Sequence, residues 1–181
     1  MRILSRFARL ATAAAFVTIA GCIPQPPKAP PPARQPMAPA PPQTPAPVAM
    51  PTGEWRDWPM TPGDWVYRQD ARGSIALFGP VGADALVTLR CDRSARRLYL
   101  SVRGTNTQPM TVRTTSVSRV VPVQPTGGTP PYVAAAIAPT DTLMEAIGFS
   151  RGRFALIQAG AAPLVVPPYA EVERVTQDCR G

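Results

Sequence analysis

The chain predicts a mainly β domain, a small antiparallel β-sandwich or partly closed barrel with one or two short helices, preceded by a signal peptide and a disordered Pro-rich linker. Three observations predict it. Between residues 65 and 166 the apolar residues fall in short runs separated by turns rich in Gly, Pro and Asp. In the middle runs apolar and polar residues alternate with period two. Helical spacing is confined to two short segments near the C-terminus.

The candidate strands are 65–69, 74–78, 85–91, 97–103, 110–115, 119–123, 132–138, 154–158 and 164–166. Turn chemistry lies between them: Asp70-Ala71-Arg72-Gly73, Gly79-Pro80-Val81-Gly82, residues 92–96 and 104–109, and Gly127-Gly128-Thr129-Pro130. Pro122 confines its run to an edge strand or a broken one, because proline cannot donate to a ladder. Val87, Leu89 and Cys91 share one face, as do Leu98, Leu100 and Val102, and Met110, Val112 and Thr114. Cys91 is therefore expected to point inward. Trp55, Trp58 and Trp65 fall within eleven residues at the start of the domain and are read as closing the core rather than forming a platform.

The first helix is expected over 140–148, with Asp141 or Thr142 at its start, Glu145 completing a capping box with Thr142, and Gly148 ending it. The second is expected from Pro168, a favoured first helical residue, with Val172, Val175 and Cys179 on one face. A strand is the alternative for this tail.

The N-terminus carries a different signal. Arg2, Arg6 and Arg9 precede an uncharged stretch, 10–20, that is too short for the ~20 apolar residues of a membrane-spanning helix. It ends in Ile19-Ala20-Gly21-Cys22, an aliphatic residue and two small ones before a cysteine. This segment resembles the lipobox of bacterial lipoproteins. The resemblance implies cleavage before Cys22 and its acylation with chains such as palmitate, two or more of which hold a protein stably on a membrane. Ile23 stands where Gram-negative lipoproteins retained at the inner membrane carry Asp, which implies an outer-membrane anchor facing the periplasm.

Three parts follow: a signal peptide over 1–21, a lipidated Cys22 with a linker over 22–52, and a β-rich periplasmic domain over 53–181. The linker holds thirteen prolines between Pro24 and Pro51 and no aromatic residue, so it cannot bury enough apolar area to fold. As a polyproline spacer it reaches at most about 95 Å, at ~3.1 Å per residue. With Cys22 lipidated, an exported domain has Cys91 and Cys179 left, and these most simply form one disulfide.

The net charge of +8 suggests nucleic acid at first sight, but five of the cations lie before residue 53. Fourteen arginines against eleven acids remain in the domain, a net +3, and no nucleic-acid partner is expected. Histidine is absent, which removes the commonest general base and the commonest zinc ligand. Neither a metal, a cofactor nor a catalytic site is expected. The grouped acids Glu171, Glu173 and Asp178, and Asp141 with Glu145, have an ordinary explanation in helix first turns and caps.

Between Asp92 and Asp141 there is no acid, while six arginines fall in the same stretch. If the strands form a meander, Arg90, Arg103 and Arg113 stand side by side on its outer face with Thr88, Ser101 and Thr111. Arginine forks suit carboxylates and phosphates, so one reading is an anion-binding face and the other a solvated sheet surface. A second candidate is Phe149-Ser150-Arg151-Gly152-Arg153-Phe154, in which Ser150, Arg151 and Arg153 supply donors between two anchoring phenylalanines.

In layout the domain resembles uncharacterised β-rich periplasmic domains of Gram-negative lipoproteins, and it is loosely similar to the invasion-associated locus B proteins and to lipoprotein lysozyme inhibitors. The last resemblance implies that Ser150 and Arg151 enter an acidic cleft. The expected function is therefore a non-catalytic outer-membrane lipoprotein that binds cell wall, lipopolysaccharide or an envelope protein through an Arg-rich face. The alternative is an inhibitor of an envelope-attacking hydrolase such as lysozyme.

Overall fold

The computed structural model describes residues 49–181. The signal peptide, Cys22 and the linker up to residue 48 lie outside the described residues. Ten strands, β1 (Asp64–Asp70), β2 (Gly73–Gly79), β3 (Val87–Asp92), β4 (Arg97–Arg103), β5 (Met110–Arg113), β6 (Ser118–Val121), β7 (Gln124–Pro125), β8 (Tyr132–Ile137), β9 (Phe154–Ile157) and β10 (Leu164–Val166), accompany helices α1 (Thr142–Gly148) and α2 (Ala170–Arg180). They form two antiparallel sheets, a six-stranded one ordered β1-β2-β3-β4-β8-β7 and a four-stranded one ordered β10-β9-β5-β6. Neither closes, so the sandwich is the form adopted and the barrel is not.

The alternating residues do what their period requires. Val87, Leu89, Cys91, Leu98, Leu100, Val102, Met110 and Val112 are all buried between the sheets, joined by Phe78 and Phe154. Pro122 marks a topological switch: β6 is the edge of the small sheet, and after Pro122 the chain crosses to the far edge of the large sheet as β7. Two-residue β7 was invisible to periodicity. Trp65 lies in the main core and donates from its indole to the Pro167 carbonyl at 2.8 Å. Trp55 and Trp58 instead cover the outer side of the small sheet, packed with Ala155 and Val165.

Asp141 caps α1, its carboxylate accepting from the Leu143 amide at 2.8 Å, and α1 ends at Gly148, as expected. Two local expectations need correction. Glu145 accepts from Arg180 instead of closing a capping box with Thr142. Pro168 precedes α2 rather than opening it, and the helix starts at Ala170.

Helix α2 buries Val172, Val175 and Thr176 against the inner face of the large sheet and brings Cys179 to Cys91, with Cα atoms 5.3 Å apart in a disulfide. Polar contacts hold the same corner. Tyr67 donates its hydroxyl to Asp178 at 2.7 Å, and the Arg174 guanidinium stacks 4.0 Å from the Tyr67 ring centre. In the neighbouring β3–β4 turn, Asp92 accepts from the Ser94 hydroxyl at 2.7 Å, from the Ala95 amide at 3.0 Å and from Arg72 at 2.7 Å.

The Ser94 hydroxyl first, then Arg72 and the Ala95 amide, hold the Asp92 carboxyl well below the usual carboxylate range. A carboxyl depressed in the folded state stabilises the fold fully above its unfolded pKa, about 3.9, and loses that contribution as pH falls towards the lower folded value. Stability is therefore expected to decline below about pH 4. Asp92→Asn should lower the urea midpoint at neutral pH and flatten the acid decline, and an unchanged acid slope in the variant would remove Asp92 from the cause.

Candidate functional site

Among the described residues no element covers the outer face of the six-stranded sheet, which forms a trough of about 680 Å³. Its floor follows from register. Leu77, Thr88, Ser101, Ala134 and Gln124 stand opposite one another across five strands, and Ile75, Arg90, Tyr99 and Ala136 form the next row. In the first row the small side chains of Thr88, Ser101 and Ala134 lie in the middle, between Leu77 and Gln124. Ile75 and Leu77 form one wall, and Pro122 and Pro125 form the other. At about 4.8 Å per strand the trough crosses roughly 19 Å of sheet.

Its two arginines are held firmly. Arg90 binds Asp70 through both terminal nitrogens, at 2.8 and 3.1 Å. Arg72, also in the lining, binds Asp92 at 2.7 and 3.3 Å. Hydrogen bonding from Arg90 is the main influence that lowers the Asp70 carboxyl. Both guanidinium charges are thus answered within the fold, leaving a trough whose floor is mostly apolar and whose cations are locally neutralised. Tyr132 fixes one end by donating to the Ala85 carbonyl at 2.7 Å; burial raises its phenol, and the Asp84 charge adds to that rise. The lining also carries the hydroxyls of Thr88, Ser101 and Thr126 and the phenols of Tyr99 and Tyr132.

The three arginines expected side by side are separated. Strand β4 pairs with β8 and not with β5, so the meander stops after β4 and Arg113 lies on the other sheet. There its guanidinium sits 5.5 Å from the Trp55 ring centre. Arg103 shares the face of Arg90 but stands opposite Tyr132, at the far end of the strand, with Asp84 3.9 Å away. Thr88 and Ser101 are directly opposite each other as expected, while Thr111 goes with Arg113 to the small sheet.

The 149–154 segment also divides. Ser150 is buried, accepts from the Thr115 amide at 3.0 Å and donates to the Arg153 carbonyl. Arg153 donates to the Trp58 carbonyl at 2.7 Å. These two residues build the loop. Phe154 is in the core, but Phe149 is 80% exposed and anchors nothing. Arg151 is exposed beside it.

Tyr99, Ile75, Leu77, Ala134 and Ala136 were not anticipated as site residues. A signal existed for them: residues 132–138 are apolar or small at both alternating sets, so one set had to face outward. Among the described residues, no group of three or more His, Cys, Asp or Glu side chains is placed to hold a metal ion. No protein-family model, curated protein or solved structure is significantly similar to the chain.

Proposed function

We propose that this chain is a non-catalytic lipoprotein of the bacterial envelope, anchored through acylated Cys22, whose β-domain binds an envelope partner in the trough. The observation that carries the reading is the shape and chemistry of that face. Five strands present a floor that no other described element covers and whose exposed area is mainly apolar, with two arginines fixed by carboxylates, and such a recess is the usual form of a ligand site. The Pro-rich stretch after Cys22 supplies reach, so the domain works away from the outer membrane. The partner is cell wall, lipopolysaccharide or a protein carrying an apolar surface.

The test is retention of envelope fractions on the immobilised protein at low and moderate salt. Because Arg72 and Arg90 are already paired, retention should depend weakly on salt. Ala134→Trp with Ala136→Trp, which fills the floor, should abolish it, whereas changing Arg103 and Arg113 should not. Steep salt dependence with binding lost on replacing Arg90, Arg103 and Arg113, and kept in the filled variant, would return the function to the arginines. The inhibitor reading draws on one observation, the exposed Phe149 and Arg151 on a loop pinned by Ser150. Under it, lysozyme inhibition would be present and would fall with Phe149→Ser while the filled trough left it intact.

A further inference from the structure

A second cavity, of about 360 Å³, opens between the two sheets at the end of the sandwich where β4 finishes. Its interior is apolar: Leu86, Val102, Met110, Leu156 and Leu164 line it, and Val102, Met110 and Leu156 belong to the main core. The mouth carries Arg103 and Gly104. A Cβ on Gly104 would meet nothing within 4 Å, so the backbone there borders open space.

The polar groups at this mouth are not equivalent. The Gln158 amide nitrogen donates to the Asn106 carbonyl at 3.0 Å and to the Gln108 carbonyl at 2.7 Å, so both its hydrogens are committed to the 104–109 loop. Arg103 is different. The acid nearest it is Asp84 at 3.9 Å, beyond hydrogen-bond distance, and both side chains are about half exposed. Arg72, by contrast, holds its carboxylate through two hydrogen bonds, and Arg90 through one hydrogen bond and a 2.8 Å ion pair. Among the arginines lining the two cavities, Arg103 alone keeps a guanidinium fork available to an incoming anion.

An apolar interior with a loosely paired cation at its entrance matches a molecule that is apolar for most of its length and anionic at one end. The volume is at the small end of the ~300–1,000 Å³ found for ligand cavities, which suits one chain rather than two. We infer that this crevice binds a single-chain anionic amphiphile, its chain along the partly exposed Leu86 and Leu164 and its head on Arg103. The inference is independent of the trough, since the two cavities share no lining residue.

The test uses decanoate below its micelle concentration, titrated into the protein by calorimetry, with decanol as the uncharged chain and a decyl lysophosphatidate as the same chain on a phosphate head. Decanoate should bind saturably at one per chain. Arg103→Gln should weaken it about tenfold, the loss of one charge-assisted contact, and bring it level with decanol. Ala162→Trp, at an exposed lining position, should block the entrance and abolish binding while circular dichroism shows the fold intact. Whichever of decanoate and lysophosphatidate binds tighter names the source as a free fatty acid or a phospholipid fragment, and either supports the site. Absence of saturable binding would overturn it. So would binding that survives both Arg103→Gln and Ala162→Trp, or binding that is lost in Ala134→Trp alone, which would place the chain in the trough.

Discussion

Removing the Cys91–Cys179 bond, by reduction or by Cys91→Ala with Cys179→Ala, is expected to cost about 4 to 5 kcal/mol of stability. The bond joins residues 88 positions apart, and the chain-entropy model gives a loop of that length a constraint on the unfolded state of about this size. It closes most of the domain in one step, from the third strand to the last helix. A midpoint fall on the order of 15 °C follows for a domain of this size. Thermal unfolding of the oxidised protein and the double alanine variant checks it. A fall of only a degree or two would mean that α2 stays docked through Val172, Val175 and the Tyr67–Asp178 bond without the crosslink, so that the unfolded chain was little constrained.

That bond shows why some of the molecule was legible in its sequence. Cys91 sits at an alternating position with Val87 and Leu89, so its inward direction was fixed by strand period alone, and Cys179 lies on the same helical face as Val172 and Val175. Both inferences are local. The arginine face failed because it needed a non-local fact, the identity of the strand beside β4. Alternation placed Arg90, Arg103 and Arg113 correctly on outward faces, but outward from which sheet is decided by pairing. A chain that leaves β4, builds two strands of a second sheet and returns at β7 has the same period throughout. Nothing in residues 104–131 except Pro122 records the crossing.

The trough was hidden for a related reason. Ala134, Ser101 and Thr88 carry no chemistry that draws notice singly, and they form a site only when register aligns them across neighbouring strands. The loop at 149–154 differs from its sequence reading in another way. Ser150 and Arg153 look like presented donors, yet the Ser150 hydroxyl donates to the Arg153 carbonyl within the loop and the Arg153 guanidinium to the distant Trp58 carbonyl. A donor in a loop is as readily used to hold that loop as to meet a ligand.

Gly63→Ala is expected to destabilise the domain by about 3 kcal/mol or more, whereas Gly82→Ala should cost only about 1 to 2 kcal/mol, although both glycines have positive φ. The difference lies in what surrounds them. At Gly63, with φ of 146°, a Cβ would stand 2.6 Å from the Gly79 carbonyl carbon and 2.8 Å from its Cα and oxygen. Gly79 cannot retreat easily, because it is paired with Asp64 on one side, and on the other the chain passes so close that a Cβ on Gly79 would lie 3.1 Å from the Leu86 amide nitrogen and 3.2 Å from the Ala85 Cα. At Gly82, with φ of 78°, a Cβ meets nothing within 4 Å, so only the conformational cost is left. Urea unfolding of the two variants separates the contributions. Equal losses would show that the start of β1 yields without strain to a side chain. A loss at Gly63 at least twice that at Gly82 would show that the backbone contact between these two glycines sets where the first strand joins the sheet, and with it the register of the row from Val66 through Leu77 that leads into the trough.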